Sequence, residues 1–418
     1  MAENSGHIRD YTFDAGDIVT CLMLYVYSGC SYNSIPKVME VIRMREGREC
    51  ERIPSLETVR GWVAKAGLSM LQHKGKGMEE SFALVIDESI SAGGYKLLLG
   101  LGIPSENAGH AVKHSDVTVL DMSVGKSFNS KDVSDMIGRT IAAAGNTPQY
   151  ALSDGGTNLV KGVGGSGLRH HRDISHMLAT HLKKVYGGEQ DFKELSAMVG
   201  RTKHWTLDSD LAPLKAPNQR ALARYMNVYD WIEWAEKVLE AHHGLTEKER
   251  FHLGFVQRHA SLVEELSGVC RMMKSIMQIV KKGGLSFKTA RECKQLMAKE
   301  LRANGVPRIV KLTDMITRYI DQECRLLGSD EESHNISSDI IESVFGLYKW
   351  KRPANKMHGI TSVALTIPLF SFKANRTAWN DINLRQLYSD TTINDVRLWK
   401  KSNIPTSPYS IRQLKLAS

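Results

Sequence analysis

Phe82-Ala83-Leu84-Val85-Ile86-Asp87-Glu88 is an apolar run that stops at a carboxylate, and Tyr150-Ala151-Leu152-Ser153-Asp154-Gly155-Gly156 repeats the arrangement further on. Short apolar runs bounded by polar or glycine-rich residues read as buried strands, so each aspartate stands at a strand end beside flexible backbone. Between the two, Ser91-Ala92-Gly93-Gly94 reads as a turn, Lys96 to Ile103 and Asp116 to Asp121 as strands, and Lys131 to Ala144 as an amphipathic helix. The order strand, strand, strand, helix, strand makes the expected fold class α/β, a mixed sheet flanked by helices. Alternation along a strand sends Asp87 and Glu88 to opposite faces. The apolar run reaches Asp87 without a break, so Asp87 is the acid expected at a site.

A third carboxylate, Glu342, lies near the start of the helical pattern Ser337-Ser338-Asp339-Ile340-Ile341-Glu342-Ser343-Val344-Phe345-Gly346-Leu347-Tyr348-Lys349. Each acid also has a plain structural reading. An aspartate after a strand is commonly a turn or cap residue, and Asp339 with Glu342 fits the D-x-x-E form of a capping box. Three carboxylates from separated segments nevertheless suit two hard divalent cations. Mg²⁺ takes oxygen ligands and keeps several waters, so a few carboxylates plus phosphate oxygens complete two shells about 4 Å apart.

Acids on the first strand, the fourth strand and a late helix resemble the triad of DDE transposases, whose catalytic domain is RNase H-like. Leu168-Arg-His-His-Arg-Asp-Ile-Ser-His176 is similar to the C/D-x-x-H signature of the hAT-like, Mutator-like and P-element-like branches, with Asp173 first and His176 last. Lys349 follows Glu342 by two helical turns, where DDE enzymes commonly carry a cation that contacts DNA phosphate. The resemblance covers roughly residues 80 to 190 and 335 to 375. It implies that Asp87, Asp154 and Glu342 are catalytic and hold two Mg²⁺ ions, replaceable by Mn²⁺, while Asp173 and His176 orient or brace the site. The implied substrates are transposon ends and target duplex DNA, cleaved and then joined by a homo-oligomer. An RNase H-like nuclease or resolvase, or a domesticated relative that only binds DNA, remains the alternative.

Residues 1–75 read as three helices, Ala15 to Tyr27, Ser34 to Glu46 and Ser55 to Gln72, the last with Ser55 as N-cap and Leu56, Val59 and Val63 on one face. Such a module looks like a helix-turn-helix. Arg43, Arg45, Arg48, Arg52, Arg60 and Lys65 are its candidate DNA contacts, because arginine suits bidentate guanine and phosphate recognition. A linker is expected at Gln72 to Met78. The chain then divides into an RNase H-like part at 80–186, an all-helical insertion at 187–334, the rest of the core at 335–380 and a tail at 381–418. Leu222, Tyr225, Met226 and Tyr229 repeat at helical spacing in the insertion, and Glu247 to Lys282 reads as one long amphipathic run. Such an insertion is what the family resemblance also implies. Trp231 and Trp234 read as packed core rather than as base-stacking residues.

Composition is compatible with this reading without carrying it. The chain has 418 residues, 42% of them hydrophobic, and a net charge of +9. That charge favours a polyanionic partner only weakly when spread over such a length. Six cysteines show no C-x-x-C spacing, which reads as thiols of a reducing compartment and excludes a zinc finger. Without a signal-like N-terminus or an 18-residue apolar stretch, the expectation is a cytoplasmic protein with no membrane partner, nucleoid-associated if bacterial. Gly162-Val-Gly-Gly-Ser-Gly167 matches G-x-G-x-x-G in the wrong context for a dinucleotide site, and reads as a turn into a fifth strand. The histidines His170, His171, His176 and His181 lack H-E-x-x-H spacing, so only His176 is kept near the acids.

Overall fold

The computed structural model describes residues 12–73, 81–89, 92–205, 210–219, 225, 227–373, 379, 384, 388 and 391–417. They fall into two compact units, the first drawn from 1–105, 112–170 and 338–418, the second from 106–111 and 171–337. The first unit opens with α1 (Ala15–Val26), α2 (Ser34–Glu46) and α3 (Leu56–Gln72). These match the sequence reading because the caps are local. Asp14 accepts the Asp17 amide at 2.7 Å and Ser55 accepts the Thr58 amide at 3.2 Å, satisfying donors that the first turn leaves without partners. Most of the expected linker lies outside the described residues.

A mixed sheet follows. It comprises, among the described residues, β1 (Phe82–Glu88), β2 (Lys96–Pro104), β3 (Thr118–Gly125), β4 (Tyr150–Ser153) and β5 (His170–Arg172), with α4 (Ser130–Ala144) and α5 (Thr157–Gly165) on either side of β4 in the chain. The spatial order is β3-β2-β1-β4-β5. Antiparallel pairing joins β1 to β2 and β2 to β3, whereas β1 and β4 run parallel. Phe82, Leu84 and Ile86 of β1 and Ala151 of β4 pack with Val133, Met136 and Ile137 of α4 and with Leu159 and Val163 of α5. Each fully buried Leu, Ile or Phe in such a cluster contributes about 1.5–3 kcal/mol. The glycine run expected as a turn belongs instead mostly to α5. Gly162 faces Val133, where a Cβ would stand 2.5 Å from the valine Cβ, so the glycine lets α5 approach α4.

The three N-terminal helices, expected as a separate module, pack into this same unit. Helix α3 lies against the 3-10 helix Ser362–Phe372, β3 and the helix Ile393–Asn403. Val59, Trp62, Val63, Ala66, Leu68 and Leu71 are all buried. A recognition helix needs one open face, and α3 keeps exposure chiefly near Glu57 and Arg60. Two expected DNA contacts are therefore core groups. Lys65 is buried, with its ammonium 5.0 Å from the centre of the Tyr388 ring, and burial pulls its pKa down. Arg43 is 2% exposed, donates to the Asp17 carboxylate at 2.8 Å and to the Arg52 carbonyl, and cannot reach a phosphate from there.

Removing one member of a buried ion pair strands the other. Arg43→Ala is expected to lower unfolding free energy by about 3–5 kcal/mol, and the folded fraction should bind DNA as wild type does. Urea unfolding followed by circular dichroism checks the first expectation, and a filter-binding titration the second.

The second unit is helical: α6 (Ile174–Tyr186), α7 (Gln190–Trp205), α8 (Val228–Ala241), α9 (Glu247–Arg258), α10 (Ala260–Gly283), α11 (Phe287–Ala303) and α12 (Pro307–Cys324). It begins sixteen positions earlier than the expected 187, at His171, because α6 packs on α10 and α12. The expected continuous helix over 247–282 is two helices that meet at His259, whose φ of -110° departs from helical geometry. Trp231 is core, and Trp234 donates its indole N–H to the Leu214 carbonyl at 3.1 Å, as packing residues do. Leu222 and Met226 lie outside the described residues. The chain re-enters the first unit as α13 (Asp339–Lys351), which packs on β1 and on the 3-10 helix. Among the described residues, no helix is long and apolar enough to cross a membrane.

Candidate active site

Asp87 and Asp154 are brought together by strand register. The parallel pairing of β1 with β4 matches Ala83 to Tyr150, Leu84 to Ala151 and Val85 to Leu152. Asp87 stands two residues beyond Val85, and Asp154 two beyond Leu152. β4 ends at Ser153, and continuing its side-chain period of two by one residue would set Asp154 on the Leu152 face as Asp87 continues the Val85 face, on strands about 4.8 Å apart. That face is the one opposite α4 and α5, whose cluster takes Leu84, Ile86 and Ala151. Both aspartates are half-buried. Asp87 Oδ1 accepts the Glu88 amide at 2.7 Å, and Asp154 Oδ1 accepts the Gly156 amide at 2.8 Å. Between Asp154 and α5, Gly155 adopts φ +84°, a left-handed turn that only glycine takes without strain.

Glu88 goes the other way. Its carboxylate accepts from Lys96 Nζ at 2.8 Å and from the Asn158 side-chain amide on α5. The neighbouring acid is thus tied up on the α4–α5 side, as the alternation argument requires.

Glu342 lies in the first turn of α13 and is exposed. The N-cap is Ser338, so Asp339 is the first helical residue and does not hold the cap position of the expected D-x-x-E box. Glu342 carries its carboxylate on a helix packed against β1, the strand of Asp87. Among the described residues, no three His, Cys, Asp or Glu side chains converge as a metal cage. The donor set is nevertheless right for Mg²⁺ in kind: Asp87 and Asp154 offer hard carboxylate oxygens. Lys349 is half-buried, in the last turn of the same helix.

Asp173 and His176 lie in the second unit. Asp173, fully buried, is the N-cap of α6: its Oδ1 accepts the His176 amide at 2.7 Å and contacts His176 Nδ1 at 3.0 Å. The D-x-x-H pattern is therefore a capping device for α6. The sequence reading missed a buried chain nearby in the same unit. Glu323 meets His171 Nδ1 at 2.7 Å, His171 Nε2 meets His334 Nδ1 at 2.9 Å, and His334 Nε2 meets Glu332 at 3.0 Å. No spacing signal pointed to it, since His171, Glu323 and the Glu332–His334 pair come from separate segments.

Of the remaining N-terminal cations, Arg45 and Arg52 are exposed, Arg48 pairs with Glu51 at 2.6 Å and Glu46 at 3.1 Å, and Arg60 pairs with Glu57 at 2.6 Å. Surface pairs of this kind are worth little and exchange readily for a phosphate. Compared with known proteins, the chain matches no family model and no curated protein.

Proposed function

We propose that this chain is a DDE-type DNA transposase built on an RNase H-like core. The observation that supports it most is the parallel β1–β4 register, whose last pair, Val85 with Leu152, stands two residues before Asp87 and Asp154 respectively. The sheet order β3-β2-β1-β4-β5, with β2 antiparallel to both neighbours and α13 packed on β1, supports the same core. In this reading Asp87 and Asp154 hold Mg²⁺ together and Glu342 completes the set. The bound ions supply an activated water and neutralise charge on the scissile phosphate. Lys349 holds a phosphate beside that bond, while Arg45, Arg48, Arg52 and Arg60 remain as cations for flanking duplex. The protein acts in the cytoplasm as a homo-oligomer on DNA, with transposon ends and target as substrates.

A nuclease or resolvase would use the same carboxylates and differ in its products. Incubation of the protein with its flanking terminal sequences and a target plasmid should give joined molecules in Mg²⁺ or Mn²⁺ and nothing in EDTA. Hydrolysed ends without joining would move the assignment to a nuclease, and metal-independent DNA binding alone to a domesticated regulator.

A further inference from the structure

Trp350 is 63% exposed, an unusual position for the largest apolar side chain, and it follows Lys349 directly on α13. Its ring nevertheless has close neighbours. It lies against Gly29 in the turn after α1, where a Cβ would stand 2.5 Å from the indole and where φ is +77°. Any larger residue at that turn would displace the ring. Two cations flank it: Lys351 Nζ is 4.8 Å and Lys373 Nζ 5.8 Å from the ring centre. Lys351 also donates to the Tyr25 carbonyl and sits 3.9 Å from the Tyr25 ring centre. Burial and the like charge of Lys373 bring its pKa down to about 8, so the two ammonium groups are close enough to repel. Lys349 and Arg352 bracket the same helix end.

A largely exposed aromatic ring with cations over it has one natural complement, a flat ring attached to phosphates. Duplex DNA offers its phosphates but keeps its bases stacked inside, so the indole gains nothing from it. An unpaired nucleotide offers both parts. We propose that Trp350 is a stacking platform for an unpaired base of a DNA strand, with Lys373 placed to meet a phosphate beside it. The platform occupies the helix that carries Glu342 and Lys349, so the base it takes is one next to the strand being processed. That last step rests on the proposed function, whereas the platform itself does not require the acids to be catalytic.

The test is binding by the full-length protein, without metal, to two DNAs of equal length: a fully paired duplex, and a fork whose short unpaired arm carries 2-aminopurine. Stacking on an aromatic side chain is worth about 5- to 150-fold in affinity per base. Wild type should prefer the fork by a factor in that range and should shift the 2-aminopurine emission on binding. Trp350→Ala should erase the preference and the emission change, Trp350→Phe should keep most of both, and Lys373→Ala should weaken fork binding and flatten its salt dependence. Thermal melts of each variant check that the fold is intact. Equal fork preference in wild type and Trp350→Ala overturns the proposal, as does self-association that is lost in Trp350→Ala while fork binding is kept. Failure of the transposase reading is separately visible: wild type would then give no Mg²⁺-dependent joined products, whatever Trp350 does in binding.

Discussion

Asp87→Asn and Asp154→Asn should each reduce Mg²⁺-dependent cleavage and joining on the order of 10³-fold or more, with DNA affinity in EDTA close to wild type. Each substitution keeps the size and one acceptor oxygen for the backbone amide, and removes the negative charge. Asp87 and Asp154 each lie two residues beyond the paired Val85 and Leu152. Removing one charge therefore halves the carboxylate pair rather than disturbing the sheet. Glu342→Gln belongs to the same series, and a comparable loss would tie α13 to the site. Glu88→Gln is the internal control. Its carboxylate faces Lys96 and Asn158 in a partly exposed contact worth at most about 1 kcal/mol, so a change of less than about fivefold is expected. A dead Glu88→Gln beside an active Asp87→Asn would reverse the assignment of faces on β1.

Gly67→Ala should be the most destabilising small substitution in the first unit. A Cβ at that position would stand 1.6 Å from the Leu365 carbonyl oxygen. The obstacle is backbone, which cannot swing aside as a side-chain tip can, so α3 must separate from the 3-10 helix Ser362–Phe372. Overpacking of this kind costs at the upper end of about 1–3 kcal/mol, or more, and outweighs the roughly 1 kcal/mol that alanine gains over glycine in a helix. At about 2–4 °C per kcal/mol for a unit of this size, the melting temperature should fall by several degrees. Gly61→Ala on the same helix meets only the Ile393 Cδ1 tip at 3.2 Å, and should be neutral or stabilising. Equal melting of the two variants would contradict the packing of α3.

What the sequence determined on its own was local or periodic. The apolar run into Asp87, the capping residues Asp14, Ser55 and Asn129, and the alternation that separates Asp87 from Glu88 depend on nearest neighbours along the chain, so strands, helices and the facing of the acids were legible. The order of strands and helix before Asp154 was legible for the same reason. Tertiary structure decided the rest, because it concerned which surfaces are covered. Arg43 and Lys65 have the composition of DNA contacts. They are core groups only because Asp17 stands opposite one and Tyr388, far along the chain, covers the other. The N-terminal helices looked like a separate module until Gly67 met Leu365, a contact across nearly three hundred residues that no periodicity encodes. His171 and His334 likewise become partners only through folding, and so do Trp350 and the Gly29, Lys351 and Lys373 around it. Burial is a property of pairs of surfaces, and one chain segment cannot report what will be laid against it.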